Sequence, residues 1–169
     1  MKNPLNVLAA VGLALGGVFG MAGSFATLPY LRNLAWEIDG LGLVAATALL
    51  TLKFFRKGDD FVAAGFLVFA IGESVMLGGM AAGLDGSVPA FAAGAALWAT
   101  ALLLISIPRV FPLWVRLAGV ASAILFAITA TRIYWGQPLS PITTPLPAIA
   151  YPLFVLTFIG WIWTLLKEA

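Results

Sequence analysis

The sequence of 169 residues contains no cysteine and no histidine. Without these residues the chain can form no disulfide, no ordinary zinc site and no haem ligation by histidine or cysteine. The Ser-His and Cys-His pairs that activate a catalytic nucleophile are excluded as well. We therefore expect no metal site and no cofactor. Enzymatic activity stays an open question, and a protein without catalysis is the favoured interpretation.

Charge is also scarce. Charged residues make up 9% of the chain and hydrophobic residues 62%, with a formal net charge of +2. A soluble domain is about 25% charged and about 45–50% apolar, so this chain has too little polar surface to be covered in water. Its solvent is expected to be the lipid bilayer, and the absence of a basic tract argues against a nucleic-acid partner.

Long apolar runs are what the chain has instead. Inside lipid the backbone must be satisfied within helices or a closed barrel, and these runs do not alternate with the period of strands. A bilayer core of about 30 Å requires about 20 apolar residues per helix. The sequence predicts a single all-α transmembrane domain, 1–169, that is a bundle of six helices at about 5–27, 34–55, 61–84, 88–107, 113–133 and 148–166.

The first apolar run is expected to remain as a permanent span. The stretch "SFA" at 24–26 loosely resembles a signal-peptide cleavage site, but one lysine is the only charge ahead of the run. A secretory signal has a positively charged region at its start.

Basic residues are distributed unevenly between the two sides of this bundle. With six spans both termini lie on one side, together with Lys2, Lys53, Arg56, Lys57, Arg109, Arg116 and Lys167. Only Arg32 and Arg132 fall on the other side, so the positive-inside rule predicts cytoplasmic termini. Aromatic residues predicted at the outer interface are Tyr30, Trp36, Tyr134, Trp135 and Tyr151. The short loops are typical of a small bacterial multi-pass protein of the cytoplasmic (inner) membrane.

A row of small residues marks one face of the first span. Gly12, Gly16, Gly20 and Ser24 recur every four residues, a spacing that allows another helix backbone to approach closely. The partner is either a neighbouring helix of the same chain or a second copy, which would make the protein a homo-oligomer.

One carboxylate lies deep in a predicted span. Glu73 stands in "FAIGESVMLGG" (69–79), near the midplane of the third helix, beside Ser74. An ionisable residue at this depth is costly and is a functional candidate by default. In a dry interior it would be neutral and donate a hydrogen bond, for example to Thr100 or Thr129. In a hydrated cavity it would bind a cation or exchange a proton.

Four other charged residues near the predicted outer end are candidates for transport or ligand binding. Glu37 and Asp39 lie in the first two turns of the predicted second helix, where a helix dipole favours acids. Two positions apart on a helix, they point to opposite faces. Ion pairs of Glu37 with Arg132, or of Asp39 with Arg32, would be ordinary structural contacts near the surface and would leave Glu73 without a charged partner at its own depth.

The loop at 135–147, "WGQPLSPITTPLP", is the longest and holds four prolines. Such a segment is stiff and extended in places. It is interpreted either as a surface connector or as a lid over an opening.

Three functions fit these features. The first is a proton- or cation-linked transporter or channel that uses Glu73. The second is a non-catalytic scaffold, subunit or binder of an apolar ligand such as a quinone or sterol. The third is an intramembrane lipid-modifying enzyme, which requires Glu37 and Glu73 in one lipid-accessible cleft.

Overall fold

The computed structural model describes residues 4–168, and within that range it is helical with no β-strand. The helices are α1 (Pro4–Phe25), α2 (Pro29–Lys57), α3 (Asp60–Gly79), α4 (Gly83–Gly86), α5 (Val88–Ser106), α6 (Leu113–Tyr134) and α7 (Ala150–Lys167). A 3₁₀ turn, Met80–Ala82, joins α3 to the short α4.

Six of these helices are long and apolar enough to cross a membrane, which confirms the prediction of an all-α bundle with six such helices. Most ends agree with the sequence prediction to within a few residues. The third span, predicted at 61–84, agrees with the segment Asp60–Gly86, which is long and apolar enough to cross a membrane, but the helix is interrupted within it, since α3 ends at Gly79 and the 3₁₀ turn and α4 follow. Glycines in this segment favour the break, since Gly83 has a positive φ of 74° and glycine tolerates that conformation.

The second helix begins five residues earlier than the predicted 34. Leu28 is extended and Pro29 occupies the first helical turn, where its missing N–H is not needed. Because α2 begins earlier than predicted, its acids lie deeper in the bundle than predicted. Asp39 lies about 15 Å along the axis from the start of α2, so its prediction as a residue near the helix start and the outer surface is wrong.

The long helices form a closed ring. Each packs against the next in the chain, and α7 returns to contact α1. We call the end of the bundle with the loops at 26–28, 80–87 and 135–149 the outer end, after the predicted orientation, and the opposite end the inner end.

Aromatic rings fill the centre of this ring of helices. Phe66 and Trp161 have centroids 5.0 Å apart, and Trp98 and Phe154 have centroids 4.7 Å apart. Phe69 stacks on both Trp98 and Phe154. All five residues are at most 4% exposed. We call them, with Phe54, Phe111, Phe126 and Phe158, the aromatic core; it packs the bundle below the outer end.

The glycine row of α1 faces α2 of the same chain. A Cβ added at Gly12 would lie 2.6 Å from the carbonyl oxygen of Gly42, and one added at Gly20 would lie 2.9 Å from Oδ2 of Asp39. Gly16 packs against Leu43. Ser24 continues the row, half-buried, and its hydroxyl donates to the Gly20 carbonyl at 2.9 Å. An internal neighbour therefore occupies this face.

A charged cluster joins α2 to the end of α7 at the inner end. Lys53 Nζ lies 2.7 Å from Oε2 of Glu168, and Lys57 Nζ lies 3.2 Å from the same oxygen. Partial burial raises the pKa of the Glu168 carboxyl, but the hydrogen bonds and charges of the two lysines outweigh it and hold that pKa below its usual value. The Lys53 side chain is 8% exposed, so this ion pair is the more buried of the two.

Candidate functional site

A cavity of about 60 Å³ lies in the outer half of the bundle. One water molecule needs about 10–15 Å³ of space counted in this way, so several waters or a small ligand fit. The lining comes from α1, α2, α3, α5 and α7, together with the turn after α3 and the proline-rich loop. Its chemically distinctive members are two acids, four aromatic residues and two methionines: Asp39, Glu73, Trp36, Phe91, Trp98, Tyr151, Met76 and Met80.

Asp39 and Glu73 are brought together by the packing of α2 against α3. Both line the cavity, and they are close enough for each carboxyl to interact electrostatically with the other. Glu73 is only 4% exposed. The contact of Gly40 with Leu77 lets the two helices approach closely on this face. Glu73 therefore has a second acid at its own level, which the sequence did not predict, and no basic side chain lines the cavity to balance the pair.

Each of these carboxyls keeps one buried oxygen without a hydrogen-bond partner. The atoms are Oδ1 of Asp39 and Oε2 of Glu73. A buried, unsatisfied polar atom costs about 1–3 kcal/mol, and more when it is charged. No basic side chain lines the cavity, so a proton, a cation or water must satisfy these oxygens.

Two aromatic side chains complete the polar part of the site. The Trp98 indole N–H lies near enough to the Glu73 carboxyl to interact with it, but its geometry is outside that of a hydrogen bond, and Nε1 is buried without a partner. Tyr151 lies close enough to both acids to interact with them electrostatically. The cavity thus combines acceptor oxygens with aromatic rings and N–H or O–H groups.

Two of the predicted site residues lie outside the cavity. Glu37 is exposed on the opposite side of α2 from Asp39, as the spacing predicts. Ser74 is also exposed, and its hydroxyl donates to the Ala70 carbonyl of its own helix at 2.8 Å. Of the acids and the serine, only Asp39 and Glu73 meet.

The two arginines of the outer end contact other partners. Arg32 Nη2 donates to the Ala26 carbonyl at 2.8 Å, and Arg132 Nε donates to Oε1 of Gln137 at 2.6 Å. Over residues 4–168 neither forms the expected ion pair with Asp39 or Glu37. Each arginine instead bonds to a residue just beyond the end of a helix, since Ala26 follows α1 and Gln137 follows α6.

The threonines expected as partners of Glu73 are also used elsewhere. Thr100 donates to the Ala96 carbonyl at 3.0 Å, and Thr129 donates to the Leu125 carbonyl at 2.9 Å. A hydroxyl that bonds to the carbonyl four residues back needs no tertiary partner. Such a hydroxyl can still accept, but over residues 4–168 no hydrogen bond joins Glu73 to either threonine, so the predicted contacts are not formed.

The aromatic lining is what sequence reasoning missed. The sequence predicts Trp36 and Tyr151 at the membrane interface, whereas the structure places both in the cavity wall. A signal was present for Trp36, because it precedes Asp39 by three positions and shares its face of the helix. The proline-rich loop contributes Pro141 to the lining.

Comparison of the chain with protein-family models, curated proteins and solved structures finds no match. The fold and the cavity define the class of protein: a helical bundle with six spans long and apolar enough to cross a membrane, holding an acidic, aromatic-lined cavity near one end.

Proposed function

We propose that this protein is a small multi-pass transport protein of the cytoplasmic membrane in which Asp39 and Glu73 jointly bind a cation or a proton. One observation carries the proposal: two carboxyls with unpartnered buried oxygens face one cavity that has no basic residue in its lining.

The paired carboxyls of Asp39 and Glu73 are suited to exchanging a cation for a proton. Two adjacent carboxylates in an apolar setting are unfavourable when both are charged and nothing balances them. A monovalent cation can balance the charge of one carboxylate while the other carboxyl keeps its proton, and a proton can replace the cation when it leaves. Binding of a cation and release of protons are then linked at the same two side chains, which is what coupled transport requires.

The aromatic core favours a carrier over an open channel. Trp98 lines the cavity and packs on the rings of Phe69 and Phe154, so closely packed aromatic side chains continue from the cavity toward the inner end. Passage through the bundle requires the helices to rearrange, as in alternating access.

A binder that does not transport its ligand is the second candidate function. The observation that favours it is the lining itself, where aromatic rings and methionines outnumber the acids. The lipid-modifying enzyme receives less support, because Glu37 is exposed and lies outside the cavity that holds Glu73.

Flux through proteoliposomes tests the proposal. We expect the wild-type protein to couple a cation gradient of Na⁺, K⁺ or tetraethylammonium to proton movement, read by a pH-sensitive dye in the lumen. Glu73→Gln and Asp39→Asn should each abolish the coupled signal. Glu37→Gln is the matched control, since it removes a carboxylate from the same helix as Asp39 on its exposed face.

Equal flux in the wild type and in the Glu73→Gln and Asp39→Asn variants would contradict the proposal. So would the absence of flux for all three cations in a protein that melts cooperatively. A loss of flux in Glu37→Gln as large as in Asp39→Asn would show that the effect does not depend on the cavity.

A further inference from the structure

We infer that the cavity of Asp39 and Glu73 takes an organic ammonium cation rather than a bare metal ion. This inference rests on the proposed function and names the class of ligand at the same site.

Aromatic rings reach the cavity from three helices. Trp36 belongs to α2, Phe91 and Trp98 belong to α5, and Tyr151 belongs to α7. Aromatic rings attract cations through their quadrupole, and aromatic cages recognise quaternary ammonium groups in this way. Two carboxylates supply the net negative charge, and the rings supply contact for alkyl groups that a metal ion lacks.

The cavity lining offers few oxygen ligands for a metal ion. Ca²⁺ takes about 6–8 oxygen ligands and Mg²⁺ about six in strict geometry. Apart from the carboxylates of Asp39 and Glu73, the lining side chains offer only the hydroxyls of Tyr151 and Ser87, and the Ser87 hydroxyl donates to the Leu84 carbonyl at 3.0 Å. Within residues 4–168 no group of three acids, histidines or cysteines could hold a metal ion.

The remaining lining suits ligands of varied shape. Met76 and Met80 lie between the acids and the outer end. Methionine side chains are flexible and polarisable and adapt to irregular apolar groups. An ammonium group at the acids therefore leaves its alkyl or aryl substituents against these side chains and toward Pro141.

Binding of the cation must compete with protons. The titratable groups that face the cavity are Asp39 from α2, Glu73 from α3 and Tyr151 from α7; α1, α5 and the proline-rich loop add no titratable or charged side chain to its lining. Protonated acids attract a cation weakly. Affinity for the ammonium should therefore be higher at about pH 8 than at about pH 5.

Titration of the purified full chain in detergent micelles with tetraethylammonium chloride tests the inference. We expect saturable binding by calorimetry, absent for KCl at the same ionic strength. Glu73→Gln and Asp39→Asn should each weaken it by about tenfold or more, the range of a lost charge-assisted contact. Trp36→Leu should weaken it by about 3–30-fold, and Trp36→Phe by less.

Trp163→Leu is the matched control for the loss of the Trp36 ring. Trp163 lies on α7 toward the inner end, is 56% exposed, and does not line the cavity. The Trp163→Leu variant should leave the affinity for tetraethylammonium unchanged. Thermal melting of each variant separates loss of the site from loss of the fold.

The outcomes separate the inference from the proposed function. Acid-dependent flux of protons with Na⁺ or K⁺, without binding of tetraethylammonium, overturns the inference and leaves the transport proposal standing. Binding that depends on the acids and Trp36, without flux of any cation, supports the ligand class and overturns transport. Binding that is the same in the wild type and Glu73→Gln overturns the inference outright.

Discussion

Asp39 of α2 and Glu73 of α3 face one cavity, and each retains a buried carboxyl oxygen that nothing in residues 4–168 satisfies. The contact comes from close packing of α2 on α3, where Gly40 accommodates Leu77. Burying two acids side by side opposes folding unless a ligand or proton offsets it. The pair is therefore a feature that folding alone does not explain.

Replacing Glu73 by methionine should stabilise the protein and abolish its function. Methionine fills similar volume without the unsatisfied oxygen, so we expect the apparent free energy of unfolding to rise by about 1–3 kcal/mol. Thermal melting in detergent without added ligand measures the change. Glu37→Met, at an exposed position, should move the midpoint little. A clear loss of stability in Glu73→Met would show that the carboxyl makes structural hydrogen bonds.

The architecture was predictable from sequence because lipid leaves few alternatives. Runs of about 20 apolar residues separated by glycine, proline or charge predict spans directly, and the six long helices follow them. The site was predictable only in part. Glu73 is evident as an acid in an apolar run, whereas its partnership with Asp39 depends on a helix that begins at Pro29.

Side-chain partners were the least predictable feature. Opposite charges at similar height suggest ion pairs, but Arg32 and Arg132 bind nearby oxygens of the helix ends. Local partners need no tertiary arrangement, and a sequence pattern does not reveal when they prevail. The convergence of Trp36, Trp98 and Tyr151 likewise depends on how the ring of helices closes.

Gly12→Ala should disrupt the packing of α1 on α2. Its added methyl would lie 2.6 Å from the Gly42 carbonyl oxygen and 2.9 Å from the Ala46 Cβ, and the backbone oxygen cannot move without shifting a helix. We expect a loss of about 1–3 kcal/mol, the usual range for overpacking. Gly17→Ala is the matched control in α1, since its nearest neighbour would be 3.6 Å away. Equal melting temperatures for the two variants would contradict the packing described here.

Gly20→Ala should change ligand affinity more than stability. The new methyl would lie 2.9 Å from Oδ2 of Asp39, at the end of a flexible side chain that can turn away. The carboxyl would then leave its place beside Glu73. We expect a cation affinity reduced by about 3–10-fold, measured by calorimetry, with a melting temperature near that of the wild type. Unchanged affinity would show that the position of the Asp39 carboxyl does not matter.

The cluster of Glu168 with Lys53 and Lys57 should make stability depend on pH at the acid end. Because the folded pKa of Glu168 is held below the usual 4.5, its contribution is present above about pH 4.5 and is lost as pH falls through the folded value. Glu168 is 41% exposed, so solvent screening limits the effect to about 1 kcal/mol or less. Glu168→Gln should lower the melting temperature at about pH 7 and lose this effect at about pH 3. A difference that persists at acid pH would contradict the ion-pair origin.

The orientation of the bundle decides which side of the membrane the cavity opens to, and the lack of cysteine makes it directly measurable. The seven basic residues that the sequence assigns to the inner side predict that this end lies in the cytoplasm. Thr27→Cys and Asp60→Cys place single thiols at exposed positions of the outer and inner ends. In intact cells a membrane-impermeant maleimide should label the cysteine at 27 and reach that at 60 only after the membrane is opened. The reverse pattern would place the Asp39–Glu73 cavity on the cytoplasmic side and invert the direction of access. Labelling of both sites in intact cells would show mixed insertion, and the cavity would then open to both sides of the membrane.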